Sequence, residues 1–149
     1  MRDTTARGDL SELEVAIALT RAGRPILRPL SSGSRYDLAI DNGDGTVVRV
    51  QCKTGVLDAG RIVFRVCSTD ARRRRGVSHH GQVDAFGVYC PQTRMSYLVP
   101  MSAVAGCTTM GCLRVDRPKN GQSKRVRYAA DYEIRSAAVP KEAPRPGQG

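Results

Sequence analysis

Two short runs, Tyr36-Asp37-Leu38-Ala39-Ile40-Asp41 and Arg49-Val50-Gln51-Cys52-Lys53-Thr54, flank the turn Asn42-Gly43-Asp44-Gly45, and nothing else constrains the fold as strongly. Asn-Gly and Asp-Gly pairs readily take up the backbone conformations of tight hairpin turns, so the two runs pair antiparallel. Side chains on a strand alternate between faces. Val48, Val50 and Cys52 therefore share one face of the second strand, and Arg49, Gln51 and Lys53 share the other. The first face is core. The polar face has two readings. It is the solvated side of an antiparallel sheet, or it brings Asp37 near Gln51 and Lys53, residues suited to holding a divalent metal and an attacking water.

The charge points toward the second reading. A formal net charge of +10 on 149 residues attracts polyanions and neutralises phosphates on contact, which makes nucleic acid the first partner to consider. Arginines run from Arg2 to Arg145, with a dense group at Arg72, Arg73, Arg74 and Arg75 and another at Arg114, Arg117, Lys119, Lys124, Arg125 and Arg127. A membrane surface fits less well, because no basic amphipathic helix carries a bulky apolar face. No apolar run approaches the ~20 residues of a bilayer span, and residues 1–8 lack the apolar stretch of a signal peptide. A soluble, intracellular, cytoplasmic protein is expected. Five cysteines without framework spacing fit free thiols in a reducing compartment. With no tryptophan and few aromatics, a stacking platform for single strands is disfavoured.

Along the chain, residues 9–22 read as a helix, with Leu10, Leu13 and Ile17 on one side, Val15, Ala16 and Leu19 beside them, and Gly23 as its stop. Residues 25–30 form a short extended piece, an edge strand because its prolines cannot donate to a ladder. Residues 61–67 alternate as a third core strand, and 68–82 read as an exposed loop or frayed helix. A second hairpin joins residues 83–90 to 95–99, and a short helix begins near Met101. Residues 113–132 are ambiguous, with a turn at Pro118-Lys119-Asn120-Gly121 and a strand at 125–128. The order of elements predicts an α+β or α/β domain with a mixed sheet. Residues 139–149 hold three prolines and two glycines and are expected to be a disordered tail.

Several side chains have both a chemical and a bland reading. Glu12 shares a helical face with Val15, Ala16 and Leu19 and should turn inward, yet Asp9-x-x-Glu12 also fits a helix-capping pair. Ser32 and Ser34 are placed to bind phosphate or simply to make a turn. His79 and His80 fit phosphate contacts or an exposed loop. Cys107 and Cys112 lack the second pair that a zinc site needs. Asp84 touches the site or caps an element, and Arg72 to Arg75 grip phosphates or form a solvated loop.

Taken together, Gly8-Asp9-Leu10-Ser11-Glu12, Ser32-Gly33-Ser34-Arg35-Tyr36-Asp37 and Val50-Gln51-Cys52-Lys53 resemble the PD-(D/E)XK nuclease superfamily. The similarity is greatest to endonucleases associated with group I introns, and extends to archaeal Holliday-junction resolvases. Softer similarity continues through Val83-Asp84-Ala85-Phe86-Gly87-Val88-Tyr89, Tyr97-Leu98-Val99-Pro100, Asn120-Gly121-Gln122 and Ala130-Asp131-Tyr132-Glu133. The resemblance implies an α/β, restriction endonuclease-like core, a central mixed β-sheet flanked by helices, within a single nuclease domain at 1–138.

It also implies a Mg2+-dependent DNA endonuclease, with Mn2+ as a substitute, acting on double-stranded or branched DNA as a homodimer or homotetramer encoded by a mobile element or phage. Mg2+ takes oxygen ligands and supplies hydroxide at neutral pH. The implied ligands are Asp37, Glu12, Gln51 and the backbone carbonyl of Cys52. Lys53 would orient the water. Gln51 stands where the family normally has Asp or Glu. The intron-associated branch tolerates glutamine there, but its amide adds no negative charge. Ser32, Ser34, Arg35, Arg72, Arg73, Arg74, Arg75, Lys124 and Arg125 are the implied DNA contacts. The rivals are a Holliday-junction resolvase and a catalytically silent DNA-binding module of the same fold.

Overall fold

The structure is a computed structural model that describes residues 4–31, 33–70, 75–78, 82–116 and 126–136. In chain order the elements are α1 Thr4–Arg21, β1 Ile26–Leu27, β2 Leu38–Asp41, β3 Val47–Thr54, β4 Val56–Asp58, β5 Arg61–Arg65, β6 Cys67–Asp70, β7 Arg75–Ser78, β8 Ala85–Cys90 and β9 Met95–Pro100. A 3-10 turn at Met101–Val104, β10 Met110–Arg114 and α2 Ala129–Tyr132 follow. The central sheet has five strands in the order β1-β2-β3-β8-β9. It is mixed: β3 and β8 run parallel, from Val50 opposite Ala85 to Thr54 opposite Tyr89, and the other pairs are antiparallel.

Helix α1 begins at Thr4, earlier than the sequence pattern indicates, so Asp9 and Glu12 lie inside it and do not form an N-terminal capping pair. Its end follows the expectation. Gly23 takes a positive φ of 75°, and Arg24 N–H reaches back to the Leu19 carbonyl at 2.9 Å, the left-handed close that glycine adopts without steric cost. The buried stripe is Ser11, Val15 and Leu19. Leu10, Leu13 and Ile17 stay 48%, 55% and 44% exposed. Helical periodicity offers two adjacent apolar stripes, and packing on the sheet buries the one that carries Val15 and Leu19.

That packing is close. Val15 and Leu19 cover Leu38, Ile40, Val50 and Tyr89 on one face of the sheet. Gly87 on β8 lies under Val15, so near that a Cβ there would sit 2.6 Å from Val15 Cγ1. The opposite face of the sheet is covered mainly by strands. Residues 61–65 do form a core strand, but in a second, three-stranded sheet ordered β10-β5-β4, whose β4 and β5 lie between β3 and β8 in sequence while β10 follows β9. Ile62, Phe64, Val66 and Leu113 from that side pack on Phe86, Val88 and Val99, with the Phe64 and Phe86 rings 5.9 Å apart and tilted. Strand β8 is buried along its whole length, as expected for a strand covered on both faces.

Two further expectations are corrected. Within the segment 68–82, of which 71–74 and 79–81 lie outside the described residues, residues 68–70 and 75–78 belong to a β-ribbon, β6 against β7 with Cys67 opposite Ser78 and Asp70 opposite Arg75, and not to a loop or a frayed helix. Its ladder is made by the backbone, which a polar, arginine-rich sequence does not announce. Of the strand expected at 125–128, the described residues 126–128 make one bridge, Tyr128 with Arg114, while β10 carries the pairing with β5. The second hairpin forms as expected, with Cys90 opposite Met95. The expected turn at 118–121 and the tail at 139–149 lie outside the described residues. Among the described residues, no helix is long and apolar enough to cross a membrane.

Candidate active site

The hairpin forms in the register that the sequence implies: Leu38 pairs with Val50, and Asp37 N–H donates to the Val50 carbonyl at 2.9 Å. One step beyond that pair, Asp37 lies level with Gln51. The turn is closed by side chains, Asp41 accepting from Gly43 N–H at 2.8 Å and Asp44 from Thr46 N–H at 2.9 Å. At the other end, Asp37 Oδ2 accepts the Cys52 N–H at 2.8 Å. This bond fixes the carboxylate against β3 and leaves Oδ1 for another partner.

Glu12 comes from the sheet-facing side of α1. Its neighbour Ser11 is buried and its hydroxyl lies 2.6 Å from Thr54 Oγ1 at the end of β3, which sets the helix's rotation and depth. Glu12 then shares an open cleft with Arg28, Ser31, Ser34, Tyr36 and Asp37. The two carboxylates interact. Burial first, and the Asp37 charge second, push the Glu12 carboxyl above its usual value, with Arg28 pulling the other way. Burial likewise raises Asp37, against the Cys52 hydrogen bond and the charges of Lys53 and Arg28.

Lys53 completes the group from β3. Its Nζ donates to the Cys67 carbonyl at 3.4 Å, and burial lowers its pKa while Asp37 holds it up. Desolvation of an ammonium weakens its hold on the proton. Gln51 is half-buried on the same face of β3. Cys52 packs its side chain into the helix-side cluster, and burial with the charges of Asp37 and Glu12 keeps the thiol protonated. Any part Cys52 takes in binding a cation thus belongs to its backbone oxygen.

The donors gathered here are two carboxylates, a carboxamide and a backbone carbonyl, all hard oxygens, and this set fits a cation such as Mg2+. Among the described residues no cluster of three or more His, Cys, Asp and Glu side chains could hold a metal. With glutamine at position 51, the carboxylate count stops at two.

Other expected residues are distributed differently. Ser34 lines the cleft and Arg35 is exposed just before Asp37. Arg75 opens β7, whereas Ser32, Arg72, Arg73, Arg74, His79, His80, Lys124 and Arg125 lie outside the described residues. Asp84 is structural: it accepts Arg49 N–H at 2.8 Å and the Arg49 Nε and Nη2 groups at 3.1 Å each, clamping the start of the parallel pair. Arg127 also braces the fold, donating to the Cys112 carbonyl and lying 3.7 Å from the free thiol of Cys107. Sequence reasoning missed Arg28, whose partner is sixteen positions away, and the Ser11–Thr54 tie. Only the presence of Ser11 beside Glu12 hinted at the latter.

Comparison with known proteins agrees with this geometry. Residues 2–135 match the profile of the PD-(D/E)XK endonuclease family. A solved bacterial homing endonuclease, I-Ssp6803I, superposes with a TM-score of 0.67 over 89% of each chain at 20% sequence identity. No curated protein sequence matches.

Proposed function

The chain belongs to the PD-(D/E)XK endonuclease family, and from that premise we propose that it is a DNA endonuclease that hydrolyses phosphodiester bonds with a divalent cation, Mg2+ or in its place Mn2+. The observation that carries this reading is Asp37. Its partly buried carboxylate is anchored on the Cys52 N–H and is electrostatically coupled to Glu12 and Lys53. Burial raises the pKa of both carboxyls in this cleft, and the Asp37 charge adds to the rise at Glu12, the kind of perturbation that gathers at functional sites.

Asp37 and Glu12, with the Gln51 amide and the Cys52 carbonyl, would hold the cation. When bound, it supplies charge neutralisation on the phosphoryl oxygens and a more acidic water. Lys53, less basic than an ordinary lysine, orients the attacking water and stabilises charge that develops on the phosphoryl oxygens. The desolvation that lowers its pKa strengthens these contacts.

The β6–β7 ribbon starts at Cys67, the residue whose carbonyl accepts from Lys53. The run Arg72 to Arg75 therefore follows the ribbon's first strand, close in the chain to the site, and is assigned to the DNA backbone. Ser32, Ser34 and Arg35 on the segment before Asp37, and Lys124 and Arg125, complete the proposed contacts. Because each site cuts one strand, a homodimer or homotetramer suits a double-strand break. The same-fold binding module is the second reading, favoured by one observation: Gln51 puts an uncharged amide where the family normally has Asp or Glu.

Incubating the protein with plasmid, four-way junction and linear duplex DNA, with and without Mg2+, separates the readings. Mg2+-dependent cutting lost in both Asp37→Ala and Lys53→Ala supports the endonuclease, and symmetric cutting confined to the junction marks a resolvase. Binding without cutting identifies the silent module. Cleavage that survives both substitutions refutes the site.

A further inference from the structure

Arg28 occupies the cleft without belonging to the proposed cation ligands or the arginine run. It follows β1, precedes Pro29, and donates from its guanidinium to Glu12 Oε1 at 2.6 Å. The pair is uneven: the Arg28 side chain is 65% exposed and that of Glu12 24%. Arg28 thus bonds a carboxylate from the solvent side while the rest of its guanidinium stays available. Its charge also acts on Asp37 and Cys52, so it faces the same group as Glu12 does.

Two demands compete for one carboxylate. Arg28 holds Glu12 Oε1 and sets a positive charge beside the carboxylate, which disfavours a cation on the remaining oxygen, yet Glu12 is among the ligands assigned to a cation. Arginine prefers phosphate and carboxylate alike and can exchange one for the other at little cost when exposed. We propose that Arg28 is a latch that couples DNA binding to cation binding. In the free protein it neutralises Glu12. When a DNA backbone enters the cleft, Arg28 transfers to a phosphate and leaves Glu12 open to the cation. This rests on the reading of Asp37 and Glu12 as cation ligands, and it makes Arg28 a positioning residue.

Linkage makes the consequence quantitative. If Arg28 competes only in the absence of DNA, removing it strengthens cation binding to the free protein and leaves the DNA complex unchanged. The coupling between the two ligands shrinks by the same factor. An exposed ion pair corresponds to about twofold to fivefold. A fixed repulsion between Arg28 and the cation would instead raise affinity equally in both states.

The test is calorimetric titration of Ca2+ into the full chain, alone and saturated with a short linear duplex that denaturing gels show to remain intact. Wild type, Arg28→Ala, Arg28→Gln and Asp37→Ala are compared, with melting curves to establish folding. Tighter Ca2+ binding by about twofold to fivefold in both Arg28 variants without DNA, and none with DNA, is the expected result. Unchanged binding without DNA, or an equal gain in both states, overturns the latch while leaving the site intact. Wild-type Ca2+ binding that Asp37→Ala does not remove overturns the site reading, and the latch with it.

Discussion

Gly87→Ala tests whether the helix-to-sheet contact that places Glu12 is as tight as it looks. The added Cβ would lie 2.6 Å from Val15 Cγ1, 3.1 Å from Val50 Cγ1 and 3.3 Å from Val15 Cγ2, whereas carbon atoms pack best at about 3.5–4.0 Å. Val15 cannot easily rotate away, since a β-branched side chain in a helix has one strongly preferred rotamer. The helix must withdraw by a substantial fraction of an ångström, or Val15 must strain. Overpacking of this kind costs about 1–3 kcal/mol. The lower entropy of the unfolded alanine chain returns about 0.4–1 kcal/mol. A net loss of about 1–2 kcal/mol follows, or roughly 3–8 °C in Tm for a domain of this size.

Urea unfolding followed by far-UV circular dichroism measures this loss, the chain having no tryptophan to report by fluorescence. Because Glu12 is less than one turn from Val15, withdrawal also moves it relative to Asp37. Cleavage should fall about tenfold to a hundredfold at temperatures where the variant is fully folded. Val15→Ala removes both clashing methyls, so the double variant should be more stable than the sum of the two single losses by about 1 kcal/mol. Wild-type stability in Gly87→Ala, or strict additivity with Val15→Ala, would refute the argument.

Other outcomes follow from the same geometry. Asp37→Asn keeps an acceptor for the Cys52 N–H but cannot ionise. Burial raises the Asp37 pKa in the folded state, so the stability linked to its proton is complete below the unfolded carboxylate range and is lost as pH rises through the folded value. Metal-free Asp37→Asn should therefore melt above wild type at neutral pH, with the gap closing in acid, and should gain nothing from Mg2+. Lys53→Ala should slow cleavage about 100- to 1000-fold while leaving duplex affinity, read by anisotropy, nearly unchanged. Ser11→Ala breaks the 2.6 Å bond to Thr54 and should cost about 1–2 kcal/mol in urea unfolding. Gln51→Glu should tighten Ca2+ binding about tenfold or more, since ligand charge sets the affinity of hard-cation sites.

The hairpin that carries Asp37, Gln51 and Lys53 was legible because its signals are local: a turn whose residues prefer that backbone, and alternation that divides Val50 from Gln51. Glu12 was legible through helical spacing from Val15 and Leu19. Spacing alone could not say that Leu10, Leu13 and Ile17 would stay exposed, because that choice is made by Gly87 and Tyr89 on a distant strand. The second sheet was hidden for a related reason. Residues 61–65 read as a strand, but their partners in β10 lie far along the chain. Arg28 was invisible as a site residue, its significance coming from where the backbone returns after β1. The β6–β7 ribbon carries polar residues on both strands, so no apolar alternation marks it.

Asp37, Glu12, Gln51 and Lys53 are proposed to form one cation-dependent phosphodiesterase site. The decisive measurement is plasmid cleavage by wild type and Lys53→Met, at equal DNA occupancy and over a Mg2+ titration. Cleavage should rise with Mg2+ in wild type and be nearly abolished in the variant, with binding intact. Cutting by Lys53→Met at the wild-type rate would rule this site out.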